Sequence, residues 1–118
     1  PALSPELHCI ENLDYLGQLN NISSNQALDE ALTNVGLNNF ENEYAANLSA
    51  GQKRRVVLSA LFITQAKVWL LDEPFTALDT DGINVIETQI TKHCDDGGIC
   101  ILTTHQQCNL PKLRTLTL

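Results

Sequence analysis

The chain has 118 residues, of which 43% are hydrophobic and 18% charged, a composition typical of a single globular domain with a modest core and unlike that of a disordered segment. Its formal net charge of −7 argues against a nucleic-acid-binding module, which needs a basic surface. No apolar run approaches the roughly 18 residues of a membrane-spanning helix, and Pro1–Ser4 lack the features of a signal peptide.

Two amphipathic helices are predicted in the first part of the chain. Ser4–Glu6 has the hydroxyl, the proline and the acid of a helix start, and apolar residues then recur at helical spacing, which predicts a helix over residues 5–19. Ser23-x-x-Gln26 is a capping box that predicts a second helix over residues 24–35, with Gly36 as its terminator. The polar, asparagine-rich segment that follows is interpreted as a loop.

The second part of the chain predicts a parallel strand–helix–strand unit. Ser49-x-x-Gln52 is another capping box and opens a third helix. Two apolar runs of buried-strand length, Lys67–Leu71 and Ile99–Thr103, flank a predicted helix from about Thr80 to Cys94. This order predicts parallel strands joined by a right-handed crossover. A final strand is predicted within Leu113–Leu118.

Two carboxylates directly follow the first apolar run. Ligands of open α/β sheets bind at the carboxyl ends of the strands. At that position Asp72 is suited to hold Mg²⁺ through water, and Glu73 to orient or deprotonate a water that attacks a γ-phosphate. Taken alone, the pair is explained more often by an ordinary acidic turn after a strand.

The segment Leu48–Gln52 and His105 are two further candidate sites. Ser49 caps a helix whose first turn contains the small residues Ala50 and Gly51, so a phosphate can approach the backbone N–H groups there. A well-capped helix without a ligand is the alternative. His105 follows the second apolar run and is placed to contact a γ-phosphate, although a lone histidine at a strand end is more often a surface residue.

The remaining polar features indicate structure rather than chemistry. Lys53–Arg55 is interpreted as solvated helix surface, from which one arginine pairs with a carboxylate, and Trp69 is interpreted as a core residue. The cysteines have no C-x-x-C spacing, which favours reduced thiols over structural zinc, and Cys100 is interpreted as a small core residue. There are four of them: Cys9, Cys94, Cys100 and Cys108.

Together, the motifs resemble those of ATP-binding-cassette (ABC) ATPases. LSAGQ at Leu48–Gln52 resembles the signature motif, VWLLDE at Val68–Glu73 the Walker B motif, ALD at Ala77–Asp79 the D-loop, and His105 the switch histidine. The resemblance covers residues 48–105. Within the family, the stretches ENL, LSAGQKRRV, LDEPFTALDTDG and GGICILTTHQ are similar to the haem-export ATPases of cytochrome c maturation.

This resemblance implies an α/β fold of the P-loop NTPase type, with a partial helical subdomain over residues 1–47 and part of the ATPase core over residues 48–118. It also implies a homodimer of ATPase subunits at the cytoplasmic face of the inner membrane. The dimer would drive integral membrane transporter subunits and haem-handling maturation proteins, with no role for nucleic acid. The alternatives are an ABC ATPase for another cargo, one that acts on DNA or ribosomes, or a non-catalytic interaction fragment.

The resemblance further implies ATP and Mg²⁺ as cofactors and assigns a role to each motif. Ser49, Ala50, Gly51 and Gln52 would contact ATP bound mainly by the partner subunit. Asp72 would hold the metal, while Glu73 and His105 would act on ATP bound by their own subunit. Asp79 would couple the two sites across the interface.

No G-x-x-x-x-G-K-[ST] phosphate loop occurs in the sequence. The chain also does not begin with Met. We therefore expect roughly 80–90 further residues in a complete domain of this type. We also expect the 118-residue chain alone to bind ATP poorly and to hydrolyse none.

Overall fold

The computed structural model describes residues 3–18, 24–76, 78–105, 109–111 and 113–114. Its helices are α1 (Cys9–Gln18), α2 (Asn25–Asn34), α3 (Ala50–Ser59) and α4 (Thr80–Asp95), and its strands are β1 (Val68–Asp72) and β2 (Ile99–Thr103). Short 3₁₀ helices at Ala45–Asn47 and Ala60–Phe62 precede and follow α3. None of the helices in these ranges is both long enough and apolar enough to cross a bilayer.

The first helix begins later than the sequence predicts. Residues after Ser4 form a turn, closed by the Leu7 N–H, which donates to the Ser4 carbonyl (3.2 Å). His8 then forms an antiparallel bridge with Tyr44, and α1 starts at the next residue, where the Glu11 carboxylate accepts a hydrogen bond from the His8 N–H (2.9 Å). The predicted helix start at the proline is wrong, because pairing with a distant loop overrides the local capping signal.

The second helix is close to its prediction. Its N-cap is Ser24, one residue after the predicted Ser23, and the Ser24 hydroxyl accepts a hydrogen bond from the Ala27 N–H (3.0 Å). Ser23 itself lies outside the described residues. Gly36 follows the helix with a φ of +78°, a left-handed conformation that glycine adopts without a steric penalty.

The predicted parallel strand–helix–strand unit is confirmed. In the register, Val68 lies opposite Ile99 and Asp72 opposite Thr103, and α4 connects the two strands. Trp69 is 5% exposed and belongs to one hydrophobic core that also contains residues of all four helices. The interpretation of Trp69 as a core residue is therefore confirmed. The final strand predicted for the C-terminus falls mainly outside the described residues.

One face of the sheet is exposed, although the apolar runs were predicted to be buried strands. The side chains on that face are between 52% and 74% exposed: Val68, Leu70, Ile99 and Ile101. The other face packs against the core through Trp69, Leu71, Cys100 and Leu102. The prediction of burial is therefore wrong for one face of the sheet, because no described element packs on it.

The cysteines within the described ranges carry free thiols, as predicted. Cys9 is buried, Cys100 is partly buried against the core, and Cys94 is exposed. Cys108 lies outside the described residues. Among the residues that the structure describes, no group of three or more His, Cys, Asp or Glu side chains is arranged to hold a metal ion.

Candidate active site

The carboxyl ends of the two strands meet through Thr103. Its hydroxyl donates a hydrogen bond to Oδ1 of Asp72 (2.6 Å). The Glu73 N–H donates to the Thr103 carbonyl (3.0 Å) and to the Thr103 hydroxyl (3.3 Å). One threonine thus fixes both the side chain of Asp72 and the backbone of Glu73. Sequence analysis missed this residue, since only the register of the two strands identifies it.

Glu73 has an unusual backbone conformation and an ionisable neighbour. Its φ is +47°, a left-handed conformation that costs an L-residue about 1–2 kcal/mol and that clusters at functional sites. Its Oε1 lies 3.4 Å from Nε2 of His105, whose side chain is 97% exposed, against 23% for that of Glu73. The structure therefore brings together the two residues that were predicted to be catalytic, while their catalytic roles stay predictions.

The N-terminus of α3 has the predicted capping box. The Gln52 N–H donates to the Ser49 hydroxyl (3.1 Å), and the Ser49 N–H donates to Oε1 of Gln52 (2.9 Å). Ala50 and Gly51 occupy the first turn, where backbone N–H groups have no acceptor within the helix. Because Ser49 and Ala50 are exposed, a ligand can approach this turn from solvent.

Arg54 joins α3 to the end of β1. Its Nη2 donates to the backbone carbonyls of Asp72 and Glu73. The guanidinium of Arg55 instead donates to the Val35 carbonyl (3.4 Å), and Lys53 is exposed. The interpretation of this basic cluster as solvated surface with an arginine–carboxylate pair is therefore wrong for Arg54 and Arg55, since both are half-buried and donate to backbone carbonyls.

Asp79 is the N-cap of α4. Its Oδ1 accepts a hydrogen bond from the Gly82 N–H (2.8 Å), and the residue is exposed. Ala77, the first residue of the predicted D-loop, lies outside the described residues. The structure thus gives Asp79 a local structural role, and its coupling role stays a prediction.

The donor set at the strand ends suits Mg²⁺ bound together with phosphate. Asp72 is exposed and supplies one carboxylate, whereas Mg²⁺ in nucleotide sites takes one or two carboxylates and completes its six ligands with phosphate oxygens and water. An open, mainly apolar cleft of about 620 Å³ reaches Asp72 along Arg54 and Leu70. Glu73 and His105 are not among its lining residues, so this cleft is distinct from the carboxylate–histidine pair.

Comparison with known sequences places these motifs in a family. The profile of the ABC transporter family matches residues 1–76. The cytochrome c biogenesis ATP-binding export protein CcmA of Vibrio vulnificus is 46% identical over 116 residues, which are 96% of this chain and 57% of that protein. The protein of the same name from Idiomarina loihiensis is 44% identical over 112 residues, covering 95% and 51%. The chain thus spans about half the length of the curated relatives it matches.

Solved structures give the same fold. An ATP-binding subunit of an ABC transporter superposes with a TM-score of 0.77 at 23% identity, covering 89% of this chain and 45% of that chain. A dimeric ATP-binding cassette in a post-hydrolysis state, bound to ADP and Pi, superposes with a TM-score of 0.73 at 26% identity, covering 88% and 48%. The predicted α/β fold of an ABC ATPase fragment is confirmed, and the chain belongs to the ABC transporter family.

Proposed function

We propose that this chain forms the signature and Walker B portion of an ATP-hydrolysing nucleotide-binding domain. The observation that carries the proposal is the arrangement at the end of β1. There the Glu73 carboxylate lies 3.4 Å from His105, next to an Asp72 carboxylate held by Thr103. In this proposal the phosphate loop lies in another segment of the protein, residues 1–47 belong to a helical subdomain, and residues 48–118 belong to the ATPase core.

Each polar residue at the strand ends has a distinct role in the proposed hydrolysis. Glu73 accepts a proton from the attacking water, or orients it, because hydrogen bonds fix its backbone at the strand end and its carboxylate lies beside His105. His105 is exposed beside Glu73 and donates to the γ-phosphate. Asp72 holds Mg²⁺, which when bound would neutralise charge on the β- and γ-phosphates.

The N-terminus of α3 is proposed to contact a second nucleotide. Ser49 and Gln52 bind each other's backbone N–H groups, which fixes the first turn and leaves the N–H groups of Ala50 and Gly51 for phosphate oxygens. We propose that these four residues contact ATP bound by the partner subunit of a homodimer, and that Asp79 couples the two sites. A related ATP-binding cassette is dimeric with bound ADP and Pi, which supports this arrangement.

For the cargo, we propose that the ATPase powers haem export or the release of the haem chaperone in cytochrome c biogenesis. The support is the name of the relatives, cytochrome c biogenesis ATP-binding export protein, at 44–46% identity over most of this chain. The proposed partners are integral membrane transporter subunits and haem-handling maturation proteins, with the ATPase at the cytoplasmic face of the inner membrane.

The experiment that tests the ATPase proposal uses the full-length protein in which these 118 residues occur. We expect Glu73→Gln to lower ATP turnover by about 10²–10⁴-fold, since it removes a general base, while MgATP binding measured by calorimetry is retained. Glu6→Gln, at an exposed carboxylate outside the site, is the matched control and should leave turnover unchanged. Unchanged turnover in Glu73→Gln would remove Glu73 as the catalytic carboxylate.

The cargo proposal has a separate test in cells. A strain whose only copy carries Glu73→Gln should accumulate apocytochrome c and little holocytochrome c, whereas Glu6→Gln should support normal maturation. If holocytochrome levels are normal in a strain whose purified Glu73→Gln protein is inactive, the cargo is a different molecule and the ATPase proposal stands.

A further inference from the structure

Arg54 connects two parts of the proposed site that serve different nucleotides. It lies on α3 two residues after Gln52, the last residue of the signature segment, and its guanidinium reaches the end of β1. The Arg54 Nε is buried and has no hydrogen-bond partner among the described residues, so the contact at β1 is made through Nη2. A single side chain thus connects α3, which begins within the signature segment, to the backbone of Glu73, the proposed catalytic residue.

The two carbonyls that Arg54 binds belong to consecutive residues where the strand ends. Glu73 turns out of β1 with a φ of +47°, and its carbonyl also accepts a hydrogen bond from the Thr76 hydroxyl (3.2 Å). Its N–H is bound by Thr103 (3.0 Å). The left-handed backbone of Glu73 is therefore held on both sides, and hydrogen bonds from a charged donor are roughly twice as strong as neutral ones.

We propose that Arg54 is a positioning residue that couples the signature helix to the Glu73 carboxylate. This inference rests on the proposed function. In an ATP-bound dimer, the nucleotide of the partner subunit holds the first turn of α3 in place. Arg54 transmits this restraint to the backbone of Glu73. The Glu73 carboxylate is therefore correctly positioned when both nucleotides are bound. Both carbonyls accept from Nη2 at the far end of the guanidinium. A lysine has a shorter, flexible side chain with a strongly hydrated ammonium, so it reproduces this contact only in part.

The test compares Arg54→Gln and Arg54→Lys in the full-length protein, with Lys53→Gln as the control. Lys53 is adjacent and exposed, and its substitution makes the same change in charge. We expect Arg54→Gln to lower kcat about tenfold or more while KM for MgATP changes less than about threefold, the pattern of an interaction needed in the transition state. Arg54→Lys should recover only part of kcat, and Lys53→Gln should match wild type.

A double-mutant cycle separates positioning from mere stabilisation. If Arg54 acts through Glu73, adding Arg54→Gln to Glu73→Gln causes no further loss of the residual turnover, because the two effects are not additive. Additive losses overturn the proposal, as does a kcat per folded molecule equal to wild type in Arg54→Gln. If the wild-type protein hydrolyses ATP and Arg54→Gln has the same kcat, this inference alone is wrong. If the wild-type protein does not hydrolyse ATP, the proposed function is wrong.

Discussion

Thr103 and Asp72 are joined by a hydrogen bond of 2.6 Å, from the hydroxyl to Oδ1, where two parallel strands end side by side. The hydroxyl also accepts from the Glu73 N–H (3.3 Å), so its proton is directed at the carboxylate. Asp72 is exposed to solvent. The hydrogen bond therefore orients the Asp72 carboxylate, while the residue stays accessible to Mg²⁺ and phosphate from solvent.

The first prediction concerns this hydroxyl. Thr103→Val keeps the β-branched shape that suits a strand but removes the donor. Partners that orient a metal-binding carboxylate typically contribute 10–100-fold to metal affinity. In the full-length protein we expect the Mg²⁺ concentration for half-maximal ATPase activity to rise at least about tenfold, with Thr103→Ser close to wild type. An unchanged Mg²⁺ titration in Thr103→Val would show that Asp72 does not need this support.

Local patterns predicted the parts of this fold that depend on local chemistry. The capping box at Ser49 and Gln52 was predicted correctly because the interaction spans only three residues. The strand β2 was predicted with its observed bounds, Ile99–Thr103, because an apolar run followed a clear turn. Glu73 and His105 were each placed correctly at the end of a predicted strand, and the structure shows that their side chains lie 3.4 Å apart.

The features that sequence analysis missed depend on contacts between distant residues. The start of α1 is set by pairing between His8 and Tyr44, and the role of Thr103 depends on the register of β1 and β2. The sequence around Arg54 predicts a solvated side chain. It does not reveal that the carbonyls of Asp72 and Glu73, 18 and 19 residues further along the chain, lie within hydrogen-bonding distance. Each error arose where tertiary contacts override a local pattern.

The second prediction separates the structural and functional roles of Ser49. Ser49→Ala removes the acceptor for the Gln52 N–H and should lower the free energy of unfolding by about 1 kcal/mol, measured by urea denaturation. Ser49→Asp retains a good N-cap but puts a negative charge where the partner's phosphate is proposed to lie. We expect it to keep wild-type stability and to lose ATP-dependent dimerisation in ultracentrifugation, assayed in the Glu73→Gln background. Normal dimerisation of Ser49→Asp would place the nucleotide elsewhere.

The third prediction uses the thiols. Burial, with a smaller contribution from Cys94, raises the pKa of the Cys100 thiol to about 11, and burial together with Glu43 raises the pKa of Cys9. Because the thiolate is the reactive form, we expect exposed Cys94 to react with iodoacetamide at pH 8 at least about tenfold faster than Cys9 or Cys100. Peptide mass mapping in a Cys108→Ser background measures the three rates. Equal rates would contradict the observed burial.

The same shift predicts how stability depends on pH. The pKa of the Cys100 thiol in the unfolded chain is its ordinary value of 9.0, below the folded pKa of about 11. Its stabilising contribution is therefore complete below pH 9 and is lost as the pH rises towards 11. In wild type, the urea concentration at the midpoint of unfolding should fall between pH 9 and pH 11, and Cys100→Val should make this fall smaller. A slope identical to wild type would show that Cys100 does not titrate differently on folding.

The last prediction concerns the exposed face of the sheet. Parallel strands are normally covered on both faces, yet Leu70 is 74% exposed and Ile101, its register partner, is 58% exposed. Because contiguous apolar patches and unpaired strand edges favour association, we expect the isolated 118-residue chain to form aggregates that grow with concentration in light scattering. Leu70→Gln with Ile101→Gln should reduce this association.

The control for that prediction is Tyr15→Gln, which removes an aromatic side chain that is 63% exposed on α1 and should not reduce association. In the full-length protein we expect the double variant to lower thermal stability instead of improving the behaviour of the protein. There a second segment covering the sheet would turn two glutamines into buried polar groups without partners, and the melting temperature would fall. A sharp, cooperative melting transition from a monomer of the isolated chain would instead show that this apolar face is stable in contact with water.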